Sequence, residues 1–188
     1  GGASCPALLL EPQRTNLLTH SEYFDAWSND SNTSLTANAI TSPSGFVDAY
    51  KMSAGTSNAR QSRILNVSVS GSLAFSSYAK KGEYSVVQFS DAVDANLYAN
   101  FDLENGVLGN YNNCTPSIED VGDGWYRCII TWTASSNINK VRISIAESTT
   151  QGRLVNFAGN GTDGIYIYGA QLEAGSYPTS YIPTYGSS

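Results

Sequence analysis

The chain has little charge and almost no imidazole or thioether. Charged residues make up 14% of its 188 positions, and it carries one His and one Met; an average globular protein is roughly 25% charged. With His20 as the sole imidazole, in a polar stretch after Leu17–Leu18–Thr19, Ser–His–Asp hydrolysis has no convincing base. Basic residues number 10 against 16 acidic ones, and no cluster exceeds the pair Lys80–Lys81. A nucleic-acid groove needs a basic stripe, so that partner is excluded. No apolar run approaches the ~18 residues that cross a bilayer, which argues against membrane insertion. The start, GGASCPALLLEPQ, has no basic n-region and reads as no signal peptide. Residues 1–7 read as linker ahead of a single domain.

Cysteine is scarce too. Cys5, Cys114 and Cys128 are an odd number, which argues against a complete disulfide framework. Cys114 and Cys128 flank one predicted hairpin, but with its turn centred on Val121–Gly124 they fall about three positions out of register for a bridge. There is no CxxC pair to hold zinc.

What is abundant is Ser, Thr, Asn and Gly, the composition of turn-rich β proteins displayed outside cells. After an N-terminal arm broken by Pro12 and one helical turn around Tyr23, Phe24 and Trp27, the chain alternates with period 2, the signature of half-buried strands. In NLYANFDL, Leu97, Ala99, Phe101 and Leu103 share one side, with Asn96, Tyr98, Asn100 and Asp102 on the other. SLAFSSYAK, YSVVQFS, KVRISIAE and IYIYGAQLE alternate likewise. Asn105–Gly106 is a strong hairpin signal, and Gly122–Asp123–Gly124 marks the tip of another. Residues 176–188 form a Pro/Tyr-containing extended arm. The expected fold is all-β, a two-sheet antiparallel sandwich or jelly roll.

The polar side of the middle strands offers Gln88, Ser90, Asn96, Tyr98 and Asn100, to which neighbouring strands add Arg127, Arg142 and Tyr168. Pyranose rings stack their C–H faces on aromatics and bond hydroxyls to amides and charges, so this set is the predicted ligand-binding face. The competing reading is an ordinary polar sandwich surface. Trp132 is in phase with Tyr126 and Ile130 and belongs to the core; Trp125 packs over the sheet end, and Trp27 plugs the sandwich. The carboxylate pairs Asp91/Asp94, Asp102/Glu104 and Glu119/Asp120 fall at turns or strand ends, where solvation explains them better than glycosidase chemistry.

Four segments, LLLEPQRTNLLTHSEYFDAW, FDLENG, DGWYR and GIYIYGAQLEAGSYPTSYIPT, together resemble a domain recurrent in tailed-phage structural proteins such as tail fibres and head spikes. That domain is similar to the jelly-roll carbohydrate-binding modules of xylanases and cellulases. The resemblance runs from about Ala7 to Thr184. It departs at Tyr168, where the family often has Trp, and at Cys114 and Cys128, where small or aliphatic residues are expected. It implies a two-sheet jelly roll, glycan or polysaccharide binding on a concave face or at loop ends, and display on a virion or secretion within a larger protein. A structural calcium, common in similar modules, would draw on Asp48 and Glu173 with backbone carbonyls. Gln171 and Glu173 read as anchors for the N-terminal arm. Two other roles stay open: an architectural domain held by other virion subunits, and an accessory module of a polysaccharide-degrading enzyme.

Overall fold

The computed structural model describes residues 11–91 and 96–186. The expected linker 1–7, Cys5 and Asp94 lie outside the described residues. Ten strands are present among the described residues: β1 (Ser28–Ser31), β2 (Thr33–Thr41), β3 (Val47–Ala54), β4 (Ser62–Lys81), β5 (Val86–Asp91), β6 (Tyr98–Asp102), β7 (Val107–Asn112), β8 (Thr115–Gly122), β9 (Trp125–Ala146) and β10 (Gly164–Ala174). All their pairings are antiparallel. The one helical turn among the described residues is 3-10, Phe24–Ala26. Among the described residues no helix is long and apolar enough to cross a membrane.

Two very long strands organise the molecule. Ser62–Asn66 of β4 pairs with Lys140–Ser144 of β9, and Gly71–Lys80 pairs with Trp125–Ala134. Between these stretches the register shifts at Asn66/Val69 and again at Val69/Gly71. Such bulges bend and twist a strand, and Gly71, at φ +91°, supplies a conformation that side chains resist. Each long strand therefore serves both layers of a sandwich. One layer runs β2-β3-β10-β4-β9-β8 and the other β1-β4-β9-β5-β6-β7. Phe75 on β4 meets Phe89 on β5 with ring centroids 4.9 Å apart, although those strands share no ladder. That contact crosses the interior.

The predicted alternation holds. Leu73, Phe75, Ile130, Ile165, Ile167 and Leu172 from one layer pack with Val87, Phe89, Phe101, Ile143 and Ile145 from the other, all buried. Burying one such side chain contributes about 1.5–3 kcal/mol, an upper figure given residual burial in the unfolded chain. Trp132 joins this core, and Trp27 caps it beside Phe24, its indole N–H donating to His20 O at 2.9 Å. The β8–β9 tip turns through Gly122, Asp123 and Gly124, all at positive φ. Ile118 faces Cys128 while Cys114 precedes the pair Thr115–Thr131, and both thiols are free.

The terminal arms are stitched to β10. Asn16, fully buried, uses its whole amide: Nδ2 donates to Ala170 O and Ile182 O, while Oδ1 accepts from Leu18 N and Leu172 N. No hydrogen-bonding capacity is left over. Gln171 Oε1 accepts from Ile182 N at 2.6 Å, and the Glu173 carboxylate accepts from Thr179 N, Thr179 Oγ1 and Gln171 Nε2. The expectation for this pair needs correcting: Gln171 and Glu173 anchor the C-terminal arm, and the N-terminal arm is held by Asn16.

Candidate ligand-binding surface

The predicted face does not form an open site. Asn100, Gln88, Ser144 and Ser62 do line up across four strands on the outside of the second layer, but all are buried. The segment following β9 lies over them. Gln88 Nε2 donates to Gly152 O at 3.0 Å, Leu154 N donates to Gln88 Oε1 at 2.8 Å, and Asn100 Nδ2 donates to Thr149 O and Gln151 O. The amides are spent on the peptide groups of this irregular segment, which would otherwise be buried unpaired. In the next row Arg142 is buried and Tyr98 half-buried, the Tyr98 carbonyl accepting from the Cys114 thiol at 3.3 Å. Asn96 alone of this group is exposed, its carbonyl accepting from Asn112 Nδ2.

Arg127 and Tyr168 belong to the other layer, where a cross-strand row runs Tyr168–Tyr78–Arg127–Glu119. The C-terminal arm packs over its first three members, while Glu119 is exposed. The Tyr181 ring stands 5.9 Å from both Tyr78 and Tyr168, and Arg127 Nη2 donates to Thr179 O at 2.7 Å. Arg127 also lies over the Tyr78 ring at 5.8 Å. Tyr168 and Tyr181 both donate their phenols to Glu22 Oε1, at 3.0 and 3.1 Å. Burial, then the neighbouring Glu22 charge, pushes the Tyr168 phenol well above its ordinary range. These are fixed structural groups.

In the adjoining row, Lys51–Tyr166–Lys80–Trp125, the first three stay partly exposed. Tyr166, Lys80 and Trp125 of this row line a groove of about 720 Å³, with Ile40–Pro43 and Gly45 on one side and Val121–Asp123 on the other. Trp125 is nearly buried, its indole N–H donating to Thr41 O at 3.1 Å, so it braces the wall. Tyr166 is half-buried and offers ring area to a ligand. Lys80 Nζ donates to Asp123 O across the groove, and Lys51 sits 5.9 Å over the Tyr166 ring. Lys51 is itself paired with Glu83 at 2.9 Å. That hydrogen bond, with another from the Gly164 amide, holds the Glu83 carboxyl below its usual range. The groove thus combines an aromatic platform with hydroxyl, ammonium and peptide groups, and Asp123 is the one carboxylate in its described lining. The sequence signal for Tyr166 was present, since it shares the non-core side of IYIY with Tyr168.

Calcium fits poorly at the predicted pair. Both Glu173 oxygens, on β10, are taken by protein donors, and Asp48, on β3, accepts from Ser44 in the preceding turn. Calcium takes six to eight oxygens, and among the described residues no three His, Cys, Asp or Glu side chains gather to hold a metal.

Compared with known proteins, the chain matches no protein-family model and no curated protein.

Proposed function

We propose that this domain is a non-catalytic carbohydrate-binding module of jelly-roll type, displayed on a virion or secreted within a larger protein, with its glycan in the groove over Tyr166. The observation that carries this reading is the open pair Tyr166–Lys80 between two hairpin tips, beside a neighbouring row in which the C-terminal arm packs on Tyr168, Tyr78 and Arg127. A half-buried tyrosine offers stacking area at low rotamer cost, and Thr41, Lys80 and Asp123 supply the polar partners that fix hydroxyls. A single carboxylate gives no acid–base pair for glycoside cleavage. The runs β3-β10-β4-β9 and β4-β9-β5-β6 support the jelly-roll topology.

The test is a glycan array followed by calorimetry on the best hit. Tyr166→Ala should weaken binding by about 1–3 kcal/mol, by loose analogy with stacking losses at single-stranded nucleic-acid platforms, while Tyr98→Ala leaves it unchanged. Equal affinity in the wild type and Tyr166→Ala rejects the groove.

A second reading, an architectural domain seated against other virion subunits, is favoured by one feature. Phe46 and Val47, at 74% and 58% exposure, form an apolar tip beside the groove. Absence of any sugar binding at millimolar concentration, with assembly lost in Phe46→Ser, would select it.

A further inference from the structure

A second concavity lies where the two terminal arms meet, and its chemistry differs from that of the groove. His20 and Tyr185 form an isolated antiparallel bridge, reinforced by Gly186 N donating to Thr19 O at 2.7 Å. Next to it Ser21 and Thr184 are buried and mutually bonded, which fixes the backbone on both sides. The bridge sets His20 and Tyr185 side by side, with Glu22 and Tyr23 following on the same arm. Together with Thr184 these residues line a pocket of about 400 Å³.

Its walls are aromatic and unusually open. Tyr23 is 55% and Tyr185 80% exposed, in a chain whose other rings are mostly packed. The His20 ring meets the Tyr23 ring edge-on at 6.1 Å. The floor carries a carboxylate whose orientation is set from beneath. Glu22 Oε1 accepts from the phenols of Tyr168 and Tyr181, and Tyr181 is itself bonded to Ser21 Oγ at 2.9 Å. No Lys or Arg pairs with Glu22 among the described residues. A second carboxylate, Asp48, stands near enough to act on the Tyr168 and Tyr185 phenols, and its Oδ1 is buried with no hydrogen-bond partner. The charge of Glu22 foremost, with slight burial, a hydrogen bond to Glu22 and the charge of Asp48, pushes the Tyr185 phenol above its ordinary value. The local potential is therefore negative.

Electron-rich ring faces beside an unpaired, preoriented carboxylate select a diffuse positive charge: the ring quadrupoles attract it, and the carboxylate supplies the counter-ion. Anions are repelled here, and a neutral ligand leaves Glu22 uncompensated. We propose that this pocket binds a small organic cation, a ligand bearing an alkylated ammonium group, at a site separate from the groove over Tyr166.

The experiment uses the whole chain and two probes of nearly the same shape, choline and its uncharged carbon isostere 3,3-dimethylbutan-1-ol, titrated by NMR with the Tyr and His ring signals assigned. Choline should give saturable shifts at Tyr23, Tyr185 and His20, and the alcohol none. Glu22→Gln keeps an oxygen for the two phenols and should weaken choline at least tenfold with little change in Tm. Tyr185→Ala, at a position too exposed to unfold the domain, should weaken it similarly, while Tyr185→Phe retains binding. Equal responses to choline and the alcohol, no saturation by choline, or full affinity in Glu22→Gln would each overturn the proposal. Should Glu22→Gln lower Tm markedly, Tyr185→Ala decides alone. Because Tyr166→Ala leaves this pocket intact, failure here is separable from failure of the glycan reading.

Discussion

Gln88 and Asn100 stand opposite each other on neighbouring strands, the Gln88 Nε2 donating to Asn100 Oδ1 at 2.7 Å, and neither reaches solvent. Between them they bond four peptide groups, those of Thr149, Gln151, Gly152 and Leu154. The pair is a clamp that seats an irregular segment against the second layer.

Removing either amide leaves buried peptide groups without partners. Gln88→Ala and Asn100→Ala should each destabilise the domain by about 1–3 kcal/mol, measured by urea unfolding. The double mutant should lose less than the sum, since the two share one network. Additive losses would mean that the clamp does not act as a unit.

The arms should prove equally structural. Asn16→Ala strands two backbone carbonyls and two amides in the interior, and Glu173→Gln puts a donor in place of one of the two carboxylate oxygens that accept from Thr179 N and Thr179 Oγ1. Each should cost about 2–3 kcal/mol and speed hydrogen exchange at Leu172, Thr179 and Ile182. Unchanged exchange at these amides would show that the arms are held elsewhere.

Stability should fall on the alkaline side. Burial, followed by the hydrogen bond to Asp25 and that residue's charge, pushes the Tyr50 phenol from 10.0 up to about 12. A raised folded-state value means that the native state holds its proton longer than the unfolded chain. The associated stability is intact below pH 10.0 and is lost as pH climbs through about 12. Tyr168 and Tyr181 shift in the same direction, chiefly from burial. Phenolate absorbance in a pH titration should show late-ionising tyrosines, and Asp25→Asn should bring Tyr50 earlier. A titration in which every phenol ionises near 10.0 contradicts this.

Cys128 is fully buried and Cys114 half-buried, and desolvation raises both thiols, Cys114 to about 12. Thiolate is the reactive form. Both should resist alkylation in the native state and react on unfolding, with no mass change on reduction. Rapid native modification of Cys128 would contradict the burial.

Much of the fold was legible. Alternation in NLYANFDL placed Leu97 and Phe101 inside, where they are. Alternation tells which side chains face the core, but not whether the opposite side meets water. The cover over Gln88 and Asn100 comes from ESTTQGRLV, which has no period to read. Gln and Asn on a sheet serve a loop's peptide groups as readily as sugar hydroxyls, so residue type could not separate the two. The full lengths of β4 and β9 were hidden for a related reason: Gly71 and the polar ASSNINK look like strand ends, yet both lie inside continuous strands. Gln171 and Glu173 stood out as anchors, but their partner is the arm that follows them.

The passage of β4 and β9 through both layers has a consequence for how the molecule can come apart. Ser68 and Ser70–Ser72, where β4 crosses over, are exposed to solvent, so local opening there would offer a protease its first cut. A cut there would divide a strand that frames both sheets, so neither fragment keeps a finished hydrophobic interior. Digestion should pass from intact chain to small peptides without a durable half-size product.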